Sequence, residues 1–138
     1  MKSNQKLIKN TKVKIKTKVK IKTKINKTED VSKVKTSINN ITNNEIEINE
    51  INNELIVEGN IELLKTIKKL IRINDFQEIL VMIFNKNKQD TQFKFYVNKQ
   101  AAYHNKFHIL DEDMSSLNDI EVSITSDNLD EVIDCILN

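Results

Sequence analysis

The stretch ELIVEGNIELLKTIKKLIRI, residues 54–73, carries the clearest secondary-structure signals in the chain. Residues 55–57 are a short apolar run typical of a strand, and Gly59 with Asn60 forms a turn signal in which the asparagine can cap a helix. Over residues 61–73 apolar side chains recur at helical spacing, and basic ones gather in the last turns, where positive charge suits the helix dipole. The stretch therefore predicts a strand, a tight turn and an amphipathic helix.

The residues that follow predict further strands. The apolar run at 78–84 and the alternating segment at 92–97 are typical of two strands, and the polar residues 85–90 between them predict a hairpin. Residues 120–125 alternate apolar and polar side chains, as a half-buried strand does, and residues 106–110 predict another, shorter strand. These segments favour an antiparallel sheet.

The C-terminal region predicts a closing helix. From Asn128 onward apolar side chains recur three and four residues apart, and Ser126 or Asp127 is placed to cap that helix. The element order is β-α-β-β-(β)-β-α, which predicts an α+β fold: a two-layer sandwich with two helices on one face of a mainly antiparallel sheet. A chain of 138 residues suits one such domain. We assign it to residues 54–138, with residues 38–53 as an Asn-rich linker or short helix.

The chain has a different character before residue 38. A hexapeptide, KVKIKT, occurs at 12–17 and again at 18–23. Residues 1–37 hold 13 lysines against two acidic residues, a net charge of +11, whereas residues 38–138 hold nine basic and 18 acidic residues, a net charge of −9. Lysines spaced two residues apart repel one another, and the apolar side chains between them form only a narrow face. We therefore predict that the N-terminal region is a flexible basic tail.

The alternating lysines of this tail are the candidate nucleic-acid-binding residues: Lys12, Lys14, Lys16, Lys18, Lys20, Lys22 and Lys24. A lysine neutralises a phosphate as a point charge, which gives affinity without sequence specificity. The seven aromatic residues all lie within 76–107, so the tail itself has no side chain that stacks on bases. Lys94 and Tyr96, on the outward face of their strand, form a small candidate stacking platform, although the negative charge of the body disfavours it.

Two other interpretations of the tail stay open. A duplicated Lys/Val/Ile/Thr hexamer is what replication slippage in AT-rich codons produces, so the tail could serve solubility alone. Alternatively, it could add a strand to the edge of the acidic body of its own or a neighbouring chain, with Glu45, Glu47, Glu50 and Glu54 as counter-charge. The second interpretation would make the tail an assembly device, with a homo-oligomer as one outcome.

The remaining candidate groups do not form a recognisable reactive site. A single cysteine, Cys135, excludes an internal disulfide and suits a reducing compartment such as the cytoplasm, and its place on the last helix predicts a buried, inert thiol. His104 and His108 have the spacing of a zinc-binding helix, but Asn105 stands where such a helix carries its glutamate. With one glycine, Gly59, the chain has neither a P-loop nor a dinucleotide fingerprint, which disfavours nucleotide-dependent chemistry. Because none of these groups forms a recognisable reactive site, we expect no cofactor and no catalysis.

These observations predict a non-catalytic binding protein. Its acidic α+β body would dock on a protein partner, while the basic tail would contact RNA or DNA without sequence specificity. The alternative is a compact protein-interaction module, such as a viral or mobile-element inhibitor, in which the tail is incidental. The longest uninterrupted apolar run, residues 79–84, is far shorter than a membrane-spanning helix, so no membrane association is expected.

Overall fold

The computed structural model describes residues 16–42 and 46–138. From Lys18 onward these residues form six strands, five α-helices and one 3₁₀ turn. In chain order they are β1 (Lys18–Lys24), α1 (Val31–Asn39), β2 (Asn49–Ile51), β3 (Glu54–Gly59), the 3₁₀ turn (Ile61–Leu64), α2 (Lys65–Ile73), α3 (Gln77–Asn87), β4 (Gln92–Val97), α4 (Lys99–Tyr103), β5 (Ile109–Leu110), β6 (Ile120–Thr125) and α5 (Leu129–Leu137). The strands form one sheet in the order β2-β3-β1-β6-β4-β5, with every neighbouring pair antiparallel.

Within the described part of the chain, one face of this sheet is covered and the other is open. In β1 the side chains of Val19, Ile21 and Thr23 are buried, whereas the lysines between them are exposed or half-buried. The register sets Ile21 opposite Val57 of β3 and opposite Val122 of β6, so apolar side chains of neighbouring strands meet on the covered face. The predicted α+β class, with helices against a mainly antiparallel sheet, is confirmed.

Helices supply the second layer, and within the described residues there are five of them where the sequence predicts two. Ile67 of α2, Leu80 of α3 and Val132 of α5 are fully buried, and α1 adds Val34 and Ile38 to the same core. Each buried aliphatic side chain of this size contributes about 1.5–3 kcal/mol relative to an exposed one. The core therefore depends on helices from both ends of the chain.

The N-terminal region differs most from the sequence-based prediction. The sequence predicts a flexible tail over residues 1–37, but Lys18–Lys24 is an inner strand with a partner on each edge, and Val31–Asn39 is a helix. The prediction is therefore wrong for residues 18–37, which belong to the folded domain. Residues 1–15 lie outside the described part of the chain.

Two contributions offset the repulsion between the lysines of β1. The narrow apolar side of the strand, Val19 and Ile21, fills the middle of the core, where neighbouring strands hold it on both edges. Acidic residues also stand opposite three of the lysines in the register: Glu58 opposite Lys20, Glu54 opposite Lys24, and Glu121 opposite Lys22. Opposite charges at such cross-strand positions stabilise a sheet.

The apolar run at 78–84 is a helix and not a strand, so the predicted hairpin with residues 92–97 is wrong. Leu80, Ile83 and Phe84 of α3 (Gln77–Asn87) are buried, at the spacing of one helical face. The other apolar residues of the run are exposed: Ile79 by 42%, Val81 by 38% and Met82 by 71%. These exposed side chains fill the gaps in the helical pattern, and the sequence then looks like a fully buried strand.

Helix caps and short segments follow the prediction only in part. Asn60 caps the 3₁₀ turn through its side chain, as expected. The last helix is capped by Asn128, whose side chain accepts from the Glu131 N–H, and not by Ser126 or Asp127. The hydroxyl of Ser126 instead accepts a hydrogen bond from the backbone N–H of Asn128.

The two segments with the weakest sequence patterns are short strands. In the segment 38–53, α1 ends at Asn39 and β2 occupies Asn49–Ile51, so it is neither a simple linker nor one helix. The strand expected at 106–110 is reduced to the two residues of β5. Both β2 and β5 lie at the edges of the sheet, where a short strand presents few unpaired backbone groups.

Candidate nucleic-acid interface

A column of lysines runs along an inner strand on the open face of the sheet. Lys18, Lys20, Lys22 and Lys24 alternate with the buried residues of β1, so all four project from the uncovered side. Residues two apart in a strand are about 6.6–6.8 Å apart, and the column is therefore about 20 Å long. The lysines that alternate in the sequence therefore lie on one side of the strand, as expected.

The other three candidate lysines are placed differently. Lys16 is exposed and lies two residues before the first residue of β1. Lys12 and Lys14 lie outside the described residues, and their predicted role in binding stays a prediction. The candidate lysines that the structure brings together are therefore those of β1.

Lys94 and Tyr96 of β4 lie on the same open face. Their neighbours Phe93, Phe95 and Val97 are buried, and Lys94 and Tyr96 are half-buried on the other side of the strand. The outward orientation predicted for this pair is correct. We call the four lysines of β1 together with Lys94 and Tyr96 the lysine face.

Glu121 of β6 lies between the two basic strands of the lysine face. Its carboxylate is 3.8 Å from the Lys22 ammonium and 3.9 Å from the Lys94 ammonium. The hydroxyl of Tyr96 lies 3.4 Å from Glu121 Oε1, to which it donates. Partial burial and the negative charge of Glu121 raise the pKa of the Tyr96 phenol, so this ring stays uncharged at neutral pH.

Positive charge is less compensated at the Lys18 end of the face. Lys18 stands opposite Thr125, which in turn stands opposite Gln92, so this row across β1, β6 and β4 has no acidic residue. In the next row Ser123 separates Lys20 from Lys94, and Glu58 is the acidic neighbour on the far side.

A buried ion pair closes the opposite end of β1, and no sequence pattern indicates it. The Lys99 side chain is 3% exposed, and its ammonium donates to both carboxylate oxygens of Glu29, at 3.0 and 3.2 Å. It also donates to the backbone carbonyls of Lys24, at 2.9 Å, and Leu117, at 2.6 Å. Glu29 and Lys99 are 70 residues apart in the chain, so only the tertiary fold brings them together.

Hydrogen bonding keeps the Glu29 carboxylate ionised. Burial alone would raise the pKa of this group, but hydrogen bonds from the backbone and side chain of Asn26 and from Lys99 outweigh that effect and hold the pKa below its ordinary value. A charged acceptor therefore stays in place at neutral pH.

The two histidines are not assembled into a metal site. His104 ends α4 and His108 precedes β5, and both side chains are exposed. Two acidic residues that follow the histidines in the sequence have other partners. Asp111 pairs with Lys86, and Asp113 accepts a hydrogen bond from the backbone N–H of Asp119. Across residues 16–42 and 46–138, no group of three or more His, Cys, Asp or Glu side chains is arranged to hold a metal ion.

Two further expectations concern the cysteine and membranes. Cys135 is fully buried on α5, as predicted. None of the helices in the described part of the chain is both long and apolar enough to span a bilayer.

Comparison with known proteins connects this geometry with a family. Residues 18–126 match a family model described as RNA binding, and the match begins at the first residue of β1. A UPF0201 protein from Methanothermobacter thermautotrophicus is 32% identical over 107 residues, which cover 78% of this chain and 80% of that protein. These are matches over most of the folded domain.

Solved structures show the same fold. A UPF0201 protein structure superposes with a TM-score of 0.74 at 22% identity, covering 88% of this chain and 94% of the other. A UPF0201 protein from Methanococcus jannaschii gives a TM-score of 0.70 at 29% identity, covering 88% and 93% of the two chains. Since the family model spans β1 to the end of β6, the chain belongs to the family whose model is described as RNA binding.

Proposed function

We propose that this protein is a non-catalytic RNA-binding protein and that RNA lies on the lysine face. The observation that carries the proposal is the regular column of four lysines on an uncovered inner strand, within the region that matches the RNA-binding family. Among residues 16–42 and 46–138, helices cover the other face of the sheet and leave the lysine face accessible.

The spacing of the lysines suits a polynucleotide backbone. Side chains two residues apart on a strand are about 6.6–6.8 Å apart, which is close to the distance between consecutive phosphates of an extended strand. An RNA strand that follows β1 can therefore place one phosphate beside each lysine. Binding would be driven by release of counterions and would read little sequence.

Tyr96 adds one stacking surface beside this backbone track. Every base has a π-face, so a single tyrosine adds affinity of about 1–3 kcal/mol without selecting a base. Glu121 accepts a hydrogen bond from the hydroxyl of Tyr96, which limits the rotation of the ring. The lysine face thus combines backbone neutralisation with one sequence-tolerant contact.

The proposal is tested with a double variant of the full chain, Lys18→Gln with Lys20→Gln. Its matched control is Lys65→Gln with Lys69→Gln, which removes the same charge from α2 in the helical layer. Affinity for a 12-nucleotide single-stranded RNA is measured at several salt concentrations. We expect the variant on β1 to lower the slope of log affinity against log salt by about 1.4, since each phosphate contact on a single strand contributes about 0.7.

The control should keep the wild-type slope. Equal slopes for the two double variants would contradict the proposal, because they would show that net charge and not the lysine face determines binding. Circular dichroism of each variant establishes that the fold is retained.

A protein-docking role for the body stays a prediction. The surface on which we would look for it is the exposed apolar side of α3, which carries Ile79, Val81 and Met82. Retention of a partner by wild-type protein and its loss on Met82→Glu, with RNA affinity unchanged, would support that role.

A further inference from the structure

We propose that a groove at the end of β1 accepts one unpaired RNA base that carries an amino group. This inference rests on the proposed RNA binding and names a part of the RNA that the lysine face does not read. The groove has a volume of about 270 Å³, enough for one base. Its floor and walls include Glu29, Lys33, Lys99, Gln100, Tyr103 and Leu117.

The groove lies where an RNA strand would leave the lysine face. β1 and β4 are both antiparallel to β6, so the carboxyl ends of β1 and β4 lie at the same end of the sheet. The groove is built from residues 28–37, which follow β1, and from residues 99–104, which follow β4. Lys99, in its floor, donates to the carbonyl of Lys24, the last lysine of the column. A strand that runs along β1 past Lys24 therefore arrives at the groove.

The floor of the groove favours a base over a phosphate. Glu29 Oε1 accepts from the backbone and side-chain nitrogens of Asn26 and from Lys99, whereas Oε2 accepts only from Lys99, at 3.2 Å, among the described residues. Oε2 therefore has a free lone pair for an N–H donor. An ionised carboxylate in this position repels a phosphate.

The walls suit a flat ring. Tyr103 is half-buried and Leu117 provides an apolar contact beside it. The ammonium of Lys33 lies 5.9 Å from the centre of the Tyr103 ring. A base stacked on Tyr103 would replace the Lys33 ammonium over the face of the ring, and Lys33 would move to the phosphate that flanks the base.

These contacts define the class of base. Cytosine, adenine and guanine present an exocyclic amino group to a carboxylate acceptor, whereas the N3–H donor of uracil is flanked by two carbonyl oxygens that an ionised carboxylate repels. The groove should therefore favour cytosine over uracil, by about tenfold for one contact of this kind.

The tyrosines allow a direct test, because the chain has two of them and no tryptophan. In Tyr96→Phe the tyrosine emission comes from Tyr103 in the groove, and in Tyr103→Phe it comes from Tyr96 on the lysine face. Each variant is titrated with hexacytidine and with hexauridine RNA. We expect hexacytidine to quench the emission of Tyr96→Phe at about tenfold lower concentration than hexauridine. Tyr103→Phe should show the same preference, because the phenylalanine ring and Glu29 keep the contacts of the groove.

A second variant provides an independent readout. Tyr103→Ala should lower affinity for hexacytidine several-fold and leave affinity for hexauridine unchanged. If hexacytidine binds in a salt-dependent manner but leaves the emission of Tyr96→Phe unchanged, or if the two RNAs quench it equally, the groove proposal is overturned while RNA binding by the lysine face stands. If neither RNA binds the wild-type protein, the proposed function fails as well.

Discussion

Glu121 is the acidic residue that lies between the two basic strands of the lysine face and offsets part of their positive charge. It is close to Lys22 and to Lys94, and it is the acceptor for the Tyr96 hydroxyl. Ion pairs at such distances near the surface contribute about 0–1 kcal/mol to stability. For a polyanion, however, each neutralised lysine is a lost contact. Glu121 therefore affects binding more than folding.

Glu121→Gln should raise the affinity for single-stranded RNA and steepen its salt dependence. The amide keeps the shape of the side chain and the hydrogen bond from Tyr96 but releases Lys22 and Lys94. The free energy of unfolding should change by less than about 1 kcal/mol. Glu78→Gln on α3 removes the same charge away from the face and is the control for both measurements. An affinity of Glu121→Gln at or below that of the wild type would show that RNA does not lie beside Glu121.

Glu29→Gln should lower the free energy of unfolding at neutral pH, by about 3 kcal/mol, because it leaves the buried Lys99 ammonium without its counter-charge. It should also change the pH dependence. The pKa of Glu29 is lowered in the folded protein, so its stabilisation is complete above the ordinary value of 4.5 and is lost as pH falls through the lowered value. Denaturant unfolding at several pH values should therefore show a steeper acid loss in the wild type than in the variant.

At the scale of elements, local periodicity predicted most strands and two helices, and tertiary context decided the others. β3, β4, β6, α2 and α5 each bury one face whose spacing is visible in the sequence. β1 shows the alternation of a strand, but β3 and β6, which pair with it, lie 30 or more residues away in the sequence. Local sequence therefore shows only the repulsion between the lysines, which suggests disorder. The Glu29–Lys99 pair has no sequence signal, because neither residue belongs to a recognisable pattern.

Removal of β1 should unfold the domain. A fragment of residues 38–138 lacks an inner strand and most of α1, so the edges of β3 and β6 and part of the core become exposed. We expect a circular dichroism spectrum without cooperative thermal unfolding. A fragment of residues 16–138 keeps every described element and is the control. Cooperative unfolding of the 38–138 fragment would contradict the position of β1.

Two substitutions in α3 distinguish a helix from the strand that the sequence suggests. Leu80 and Met82 would share a face in a strand, but in the helix Leu80 is fully buried and Met82 is 71% exposed. Leu80→Ala should therefore lower the free energy of unfolding by about 2–5 kcal/mol, and Met82→Ala by less than about 0.5 kcal/mol, as measured by urea denaturation. Similar losses for both would favour the strand.

At the scale of the molecule, basic and acidic surfaces belong to one folded body. The four lysines of β1 place part of the positive charge of residues 1–37 on the lysine face. The acidic residues Asp130 and Glu131 lie on a different element, in the first turn of α5. Residues 1–15 add five lysines and no acidic residue immediately before the Lys18 end of the column. A fragment of residues 16–138 should therefore still bind RNA, with a shallower salt dependence than the full chain. Loss of all binding would place the site in residues 1–15.

Chemical labelling of lysines, with and without a 12-nucleotide single-stranded RNA, tests most directly whether RNA lies on the lysine face. Mass spectrometry reports the reactivity of each lysine in the intact protein. We expect RNA to protect Lys18, Lys20, Lys24 and Lys94 several-fold and to leave Lys65 and Lys69 of the helical layer unchanged. Protection of Lys65 and Lys69 with unchanged labelling of the β1 lysines would contradict RNA binding at the lysine face.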